Sequence, residues 1–242
     1  EPASFAASVE LSITVDLQPK VLETSNTIAY LEGSDPVLKE EYVIIGAHHD
    51  HLGMGGPGSS SRAPDTIAVH YGADDNASGV ASLLEIARIY RSSGAKPKRS
   101  VLIVMVTGEE MGLIGSSYFA ANPTVPKSSI VADVNTDMPT VIAPLLSVVP
   151  LGAEHSSIMN NVNFAAGYLG LEVEKDPEPN ENRFVRSDQY SFVMNGIPAL
   201  HIKYGTRSDV PGFNLTDFVK EWRAKYYHQA ADGMDGVFNF AA

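Results

Sequence analysis

Apolar and polar residues repeat with two different periods along this chain, and the two periods predict alternating strands and helices. Between Ser8 and Leu17 every second residue is apolar, which is typical of a half-buried strand. A second short strand is predicted over Thr27–Leu31, and we expect the two to form an antiparallel meander. Continuous apolar runs, which are typical of strands buried on both faces, cover Tyr42–Ala47, Ser100–Val106 and Ile130–Val134.

Helical spacing of apolar residues lies between and after these strands. It predicts helices over Ala77–Arg91, Leu113–Ala121 and Ser156–Leu169. Further strands are predicted over Leu145–Val149, Leu171–Glu174 and Pro198–Ile202, and further helices over Asp188–Met194 and Phe213–Ala230. The Gly-, Ser- and Pro-rich stretch 53–64 is interpreted as an exposed loop.

The order of these elements predicts the fold class. Strands that alternate with helices favour an α/β fold, here a three-layer α/β/α sandwich. Because the opening strands are expected to be antiparallel, the central sheet should be mixed, although mostly parallel. The pattern contains no internal repeat and no domain-scale linker, so residues 1–242 are interpreted as a single domain.

Residues whose side chains can bind metal ions or transfer protons stand at the ends of the three buried strands. His48 follows the first, Glu109-Glu110 the second and Asp137 the third, while Asp75 stands where a loop enters the first helix. Taken singly, each has an ordinary structural explanation; Asp75, for example, could simply be a helix N-cap. Because ligands of α/β sheets bind beyond the carboxyl ends of the strands, we expect these residues to form one shared site.

Spacing within these motifs suggests roles. An extended backbone puts His48 and Asp50 on the same side, so Asp50 is expected to accept a hydrogen bond from the second ring nitrogen of His48 or from a neighbour. The adjacent side chains of Glu109 and Glu110 diverge, which suits a general base beside a metal ligand. A pair of metal ions needs a bridging carboxylate, and Asp75 is the candidate. Other histidines have ordinary structural interpretations: His49, His51 and His70 as loop residues, His155 near a helix start and His201 as a strand residue.

Composition narrows the classes of partner and metal ligand. The formal net charge of -12 argues against a nucleic-acid or anionic-membrane partner. The chain has no cysteine, so any metal must be bound by His, Asp and Glu. No apolar run approaches the ~20 residues that span a bilayer. The start, Glu1-Pro2-Ala3, is typical of a processed or trimmed chain, so we expect a targeting segment to have been removed.

Six segments together resemble metallopeptidase family 28, the co-catalytic zinc aminopeptidases. The likeness runs from about Asn26 to Asp232. Its segments are Val43–Gly53, which contains His48-His49-Asp50-His51, then Gly72–Gly79, Thr107–Ser116, Asn135–Met138, Arg186–Phe192 and Tyr226–Asp232.

The resemblance implies a di-zinc exopeptidase that removes N-terminal residues from peptides. It implies one Zn²⁺ on His48, Asp75 and Asp137, and a second on Asp75, Glu110 and His228. It implies Glu109 as the general base and a non-proline cis peptide after Asp75. Tyr204 is a candidate oxyanion donor, because the family often has a tyrosine in this region. Relatives often carry a signal peptide and a protease-associated domain, so residues 1–25 are interpreted as the tail of an upstream region, and a secreted or bacterial envelope location is expected.

Four alternatives remain open at this point. A glutaminyl cyclase shares the architecture but uses one zinc. A carboxypeptidase or dipeptidase would need a basic pocket for the substrate carboxylate, for which Arg183, Arg186 or Arg207 is available. A non-enzymatic, receptor-like relative would have lost ligands. A structural calcium site is disfavoured by two histidine ligands.

Overall fold

The computed structural model of the chain describes residues 8–18, 21–235 and 238–239. Residues 1–7 and 19–20, part of the segment interpreted as an upstream tail, lie outside the described residues. The strands are β1 (Thr27–Leu31), β2 (Tyr42–His48), β3 (Gly53–Met54), β4 (Val69–His70), β5 (Ser100–Val106), β6 (Ile130–Asn135), β7 (Ser147–Leu151), β8 (Glu172–Val173) and β9 (Ala199–Tyr204). The α-helices are α1 (Ser78–Ser93), α2 (Ile114–Ala121), α3 (Ile158–Leu169), α4 (Gln189–Met194) and α5 (Leu215–Tyr226).

Seven strands form one sheet in the order β1-β5-β2-β6-β9-β7-β8. The four central strands β5, β2, β6 and β9 are parallel to one another. Antiparallel pairs join β1 to β5 on one side and β7 to β9 on the other. The predicted mixed, mostly parallel sheet is therefore confirmed.

Helices cover both faces of this sheet because its central strands are apolar on both sides. On one face Leu102 of β5 packs in a cluster with Phe119 of α2 and Phe192 of α4. On the other face Ile103, the next residue of β5, packs with Leu83 of α1. Burial of one such side chain contributes about 1.5–3 kcal/mol, so both layers stabilise the sheet that carries the site. The predicted three-layer arrangement is confirmed.

The predicted strand at Ser8–Leu17 is wrong. Residues 8–18 form no strand, and their alternating apolar side chains are solvent-exposed, from 67% for Val15 to 80% for Leu17. The expected meander is wrong as well, because β1 pairs with β5. Alternation describes only which side chains share a face, whereas a strand also needs a partner for its backbone hydrogen bonds.

Two further boundaries differ from the predictions. The stretch 53–64 begins with a short ribbon, in which β3 pairs with β4, so His70 lies in a strand with a buried side chain. The last helix begins at Leu215, where Asn214 caps it by accepting a hydrogen bond from the Asp217 N–H, and it ends at Tyr226. Among the described residues, no helix has the length and apolar character needed to cross a bilayer.

Candidate metal centre

Three neighbouring strands bring most of the site together. Strands β5, β2 and β6 are adjacent and parallel, so their carboxyl ends meet at one edge of the sheet. His48 is the last residue of β2, Glu109 and Glu110 follow β5, and Asp137 follows β6. The prediction that the strand ends converge is confirmed.

His48 is fully buried and faces two carboxylates. Its Nε2 lies 3.3 Å from Oδ1 of Asp75 and 3.6 Å from Oδ1 of Asp137. Its Nδ1–H donates to the main-chain carbonyl of Asp50 at 2.8 Å. The carboxylate of Asp50 accepts instead from the Gly108 N–H and the Thr107 hydroxyl. Asp50 therefore orients His48 through its backbone and ties β2 to the turn that carries Glu109 through its side chain.

The second oxygen of Asp75 faces a different group. Oδ2 lies 3.3 Å from Nε2 of His228, which is also 3.2 Å from Oε2 of Glu110. The Nδ1–H of His228 donates to the Ser60 carbonyl at 3.1 Å, which turns Nε2 toward the carboxylates. His228 lies two residues after α5 with a positive φ of 55°, not inside the helix as its segment predicted. Asp75 is thus shared by two groups of potential ligands.

Asp75 lies in an irregular helical turn of residues 73–77 that precedes α1. The peptide bond between Asp75 and Asn76 is cis, as expected. Asp75 has φ -109° and ψ 85°, which are not helical values. The N-cap position of α1 is Ala77, so Asp75 lies before the cap and is not the simple N-cap that it could have been.

The neighbours of Asp75 hold this turn against two other parts of the chain. The Asp74 carboxylate accepts from the N–H and the hydroxyl of Thr140. The Asn76 amide donates to the Thr136 carbonyl at 3.0 Å. Buried Asp232 accepts from the N–H groups of Asp74 and Asp75 at 2.8 and 3.1 Å. These bonds couple the turn to the loop that carries Asp137 and to the segment that carries His228.

His51 is a loop residue, as predicted, but its side chain also reaches the site, which the sequence did not indicate. Its side chain is buried, and Nδ1 lies 2.8 Å from Oε1 of Glu110 and 3.9 Å from Oδ1 of Asp75. Ligand atoms of His51, Asp75 and Glu110 all lie within 4.8 Å of one another, as do those of His48, Asp75 and Asp137. No periodicity marks His51; the one available signal was its place in the run His48-His49-Asp50-His51.

Electrostatics separate the carboxyl groups into two kinds. Burial opposes ionisation of Asp75, but hydrogen bonds from His228 and His48 lower its pKa to about 2. In the same way, against the effect of burial, histidine contacts lower the pKa values of Asp137 and Glu110. Glu109 has no such histidine contact, and burial together with the charge of Asp137 raises its pKa to about 9. Asp75, Asp137 and Glu110 are thus ionised, as metal ligands must be, while Glu109 readily holds a proton.

These groups line a cavity of about 520 Å³, which also contains Tyr227. Tyr204 does not line it; this residue lines a neighbouring cavity of about 460 Å³. Burial raises the pKa of Tyr227 to about 12, so its hydroxyl remains a proton donor. Tyr190 and Tyr227 both line this cavity, and Tyr227 is the one that the sequence motif could have shown, because it directly precedes His228.

The donor set fits metal ions. Both His48 and His228 donate through Nδ1 to a carbonyl, so in the neutral form each Nε2 carries a lone pair that faces carboxylate oxygens. Burial lowers the pKa of His228, but Asp75 and Glu110 raise it to about 10, because their negative charges stabilise a positive charge between them. Nitrogen and oxygen donors without sulfur suit zinc, and two imidazoles disfavour calcium.

The sequence also matches a known protein family. Residues 26–239 match the sequence profile of Peptidase family M28. The chain belongs to this family.

Individual relatives are more distant. The chain is 25% identical over 247 residues to probable leucine aminopeptidase 2 of Aspergillus oryzae, a match that covers 96% of this chain and 44% of that protein. The fold is similar to that of a zinc aminopeptidase from Bacillus subtilis, with a TM-score of 0.55, 20% identity and coverage of 78% and 42% of the two chains. It is also similar to that of a Bacteroides thetaiotaomicron glutaminyl cyclase, with a TM-score of 0.59, 21% identity and coverage of 88% and 70%. The chain thus spans less than half of the first two proteins, and the fold alone does not separate peptidase from cyclase.

Proposed function

We propose that this chain is the catalytic domain of a di-zinc aminopeptidase, which removes N-terminal residues from peptides. The observation that carries the proposal is the position of Asp75. Its Oδ1 faces His48 and its Oδ2 faces His228, each at 3.3 Å, as a carboxylate between two ions would. Membership of a peptidase family and the aminopeptidase relative support the same activity. The expected secreted or cell-envelope location stays a prediction.

Two sets of residues would hold the ions. His48, Asp75 and Asp137 would hold one Zn²⁺, and Asp75, Glu110 and His228 the other. When bound, the ions would acidify the attacking water and polarise the carbonyl of the first peptide bond. The cyclase alternative needs one ion, and the second group around Glu110 and His228 favours the peptidase.

Glu109 is the proposed general base. It lines the cavity beside the ligands, and it is the carboxyl group whose pKa burial raises to about 9. Its side chain would take a proton from the attacking water and deliver it to the leaving amine. Near bound cations the Glu109 carboxyl group would ionise more readily, which suits the uptake of a proton from water. Its high proton affinity suits the step in which it carries that proton to the leaving amine.

Tyr227 is the proposed oxyanion donor in place of Tyr204. Its ring packs on that of His228 with centroids 3.9 Å apart, so its position is coupled to a proposed ligand. Its raised pKa keeps the hydroxyl protonated, as a donor to a developing oxyanion must be. Asp50 would act as a positioning residue, because it holds both His48 and the backbone of the turn before Glu109.

His51 is proposed to orient Glu110. The His51→Ala variant should bind the second ion about 10–100-fold more weakly, because outer partners of ligands contribute that much to metal affinity. The His51→Asn variant should retain most of the affinity, because the asparagine amide can replace the Nδ1–H donor to Oε1 of Glu110. Competition of each protein with a chromophoric chelator for Zn²⁺ measures both affinities.

The exposed neighbour His49 supplies the matched control, and His49→Ala should bind both ions as the unaltered protein does. Equal weakening in His51→Ala and His51→Asn would instead identify His51 as a metal ligand. Unchanged affinity in His51→Ala would remove it from the site.

Substrate choice and metal content together test the proposed function. Aminoacyl-nitroanilides with a free amine should be cleaved by the zinc-loaded protein, N-blocked peptides should not, and a chelator should stop cleavage. Elemental analysis should find two zinc ions per chain. One ion per chain with release of ammonia from N-terminal glutamine would favour the cyclase. Cleavage of N-blocked peptides from their C-terminus would favour a carboxypeptidase.

A further inference from the structure

Basic residues are concentrated on one wall of the metal-centre cavity. Arg62, Arg183, Arg186, Lys203 and Arg223 all line it, and we call these five residues the basic wall. The chain has 17 Lys and Arg residues against 29 Asp and Glu, so five of its few basic residues meet in one place. Four of the five, all but Arg186, also line the neighbouring cavity, so the wall separates the two spaces.

Two arginines of this wall are held by an aromatic ring and not by acids. The guanidinium carbons of Arg223 and Arg62 lie 3.9 and 5.1 Å from the ring centroid of Tyr227. Within the described part of the chain, neither has a carboxylate oxygen within 4.0 Å of its side-chain nitrogens. Arg88 and Arg99 elsewhere on the surface each have such a partner at 2.6 Å. The cation–π contacts fix the two guanidinium groups; Nη1 of Arg223 also donates to the sulfur of Met138 at 3.6 Å, and no donor of either group is bound to a carboxylate of the described residues.

Of the other three wall residues, only Arg183 has an acidic partner among the described residues. Arg183 pairs with Glu178 at 2.5 Å, but buried Lys203 donates to the main-chain carbonyl of Asp137 at 3.0 Å. Burial lowers the pKa of Lys203, the charge of Asp137 opposes this effect and the charges of Arg223 and Arg183 add to it, so that the pKa is about 8. Glu181 also lines the cavity, yet no ion pair within 4.0 Å joins it to another described residue. Among the described residues, four of the five wall side chains thus have no carboxylate oxygen within 4.0 Å, and the other acidic side chains of the cavity, Asp75, Glu109, Glu110 and Asp137, belong to the metal centre.

We propose that the basic wall binds a carboxylate of the substrate, which is either the free C-terminus of a short peptide or an acidic side chain. Guanidinium groups bind carboxylates through two parallel hydrogen bonds, a geometry that a fixed pair of arginines favours. The stack of Arg223 on Tyr227 and of Tyr227 on His228, with 3.9 Å at each step, places the wall next to the proposed reaction centre. The carboxylate would thus lie close to the scissile bond. This inference rests on the proposed peptidase function and names its substrate class.

Four peptides that differ in their carboxylate test the proposal. They are Ala-Ala-amide, which has none, Ala-Ala, and the amides Asp-Ala-amide and Ala-Asp-amide. In the zinc-loaded protein, kcat/KM should be about 10–100-fold higher for at least one carboxylate peptide than for Ala-Ala-amide, as expected for one charge-assisted contact. The Arg62→Gln/Arg223→Gln double variant should lose this ratio, and the surface control Arg88→Gln should keep it. A ratio near one in the unaltered protein, or a ratio that survives the double substitution, would overturn the proposal.

The pattern among the peptides identifies the source of the carboxylate. A gain for Ala-Ala alone indicates the C-terminus, and a gain for an acidic amide indicates a side chain. Because the ratio compares two substrates on one protein, a general loss of activity through displaced Tyr227 cancels.

Binding to the Glu109→Gln variant separates this inference from the proposed function. Calorimetric titration of that variant with Ala-Ala and Ala-Ala-amide requires no turnover. Tighter binding of the carboxylate peptide, lost when Arg62→Gln and Arg223→Gln are added, supports the wall even if no peptide is cleaved by the unaltered protein. Cleavage of all four peptides with equal binding would uphold the peptidase and refute the wall.

Discussion

The Glu109→Ala variant is expected to keep its zinc and to lose nearly all turnover. Removal of a general base lowers kcat by about two to four orders of magnitude. Metal binding should persist, because the carboxyl group of Glu109 is not among the atoms that face His48 or His228. Steady-state kinetics on an aminoacyl-nitroanilide and elemental analysis of the same sample measure the two effects.

A second variant controls for the cavity that alanine creates. Glu109→Gln keeps the shape of the protonated side chain, and since burial raises the pKa of Glu109 to about 9, the amide resembles the form that the folded protein favours in the absence of metal. Both variants should therefore lose activity to a similar extent, and Glu109→Gln should do so without loss of thermal stability. Full activity in either one would refute the assignment of Glu109, and loss of zinc in both would make Glu109 a ligand.

The central part of the site was predictable because an apolar run shows both that a strand is buried and where it ends. Parallel neighbours end at the same edge, so His48, Glu110 and Asp137 could be expected to meet. The sheet pairs β5 with β2 and β2 with β6, which is the arrangement that brings them together. The divergence of Glu109 from Glu110 follows from adjacency on the backbone in the same way.

Residues that join the site through loops carried no such signal. His51 reaches Glu110 across 59 positions, and Asp232 reaches the Asp74 and Asp75 amides across more than 150. Contacts of this kind depend on how irregular segments fold back on the sheet, which periodicity does not describe. His228 was identified through the family resemblance; it lies after the observed end of α5 with a positive φ, although a helix was predicted over Phe213–Ala230.

Asp75→Asn should reduce the zinc content at both sites, and activity with it. Its two oxygens face different histidines, so the amide nitrogen of asparagine necessarily replaces one acceptor and turns a donor toward His48 or His228. Loss of a shared ligand should weaken metal binding by more than the factor of about 10–100 that outer partners contribute. Elemental analysis after dialysis should find fewer than two ions per chain, with kcat reduced in parallel.

The adjacent residue supplies the matched control. Asp74 is as buried as Asp75, but its carboxylate accepts hydrogen bonds from Thr140 and Ser78 and does not face a histidine. Asp74→Asn should therefore keep both ions, and it should lower the free energy of unfolding by about 1 kcal/mol, the contribution of one hydrogen bond. Two zinc ions retained in Asp75→Asn would contradict the bridging role, whereas equal metal loss in both variants would mean that the turn, and not the carboxylate of Asp75, holds the ions in place.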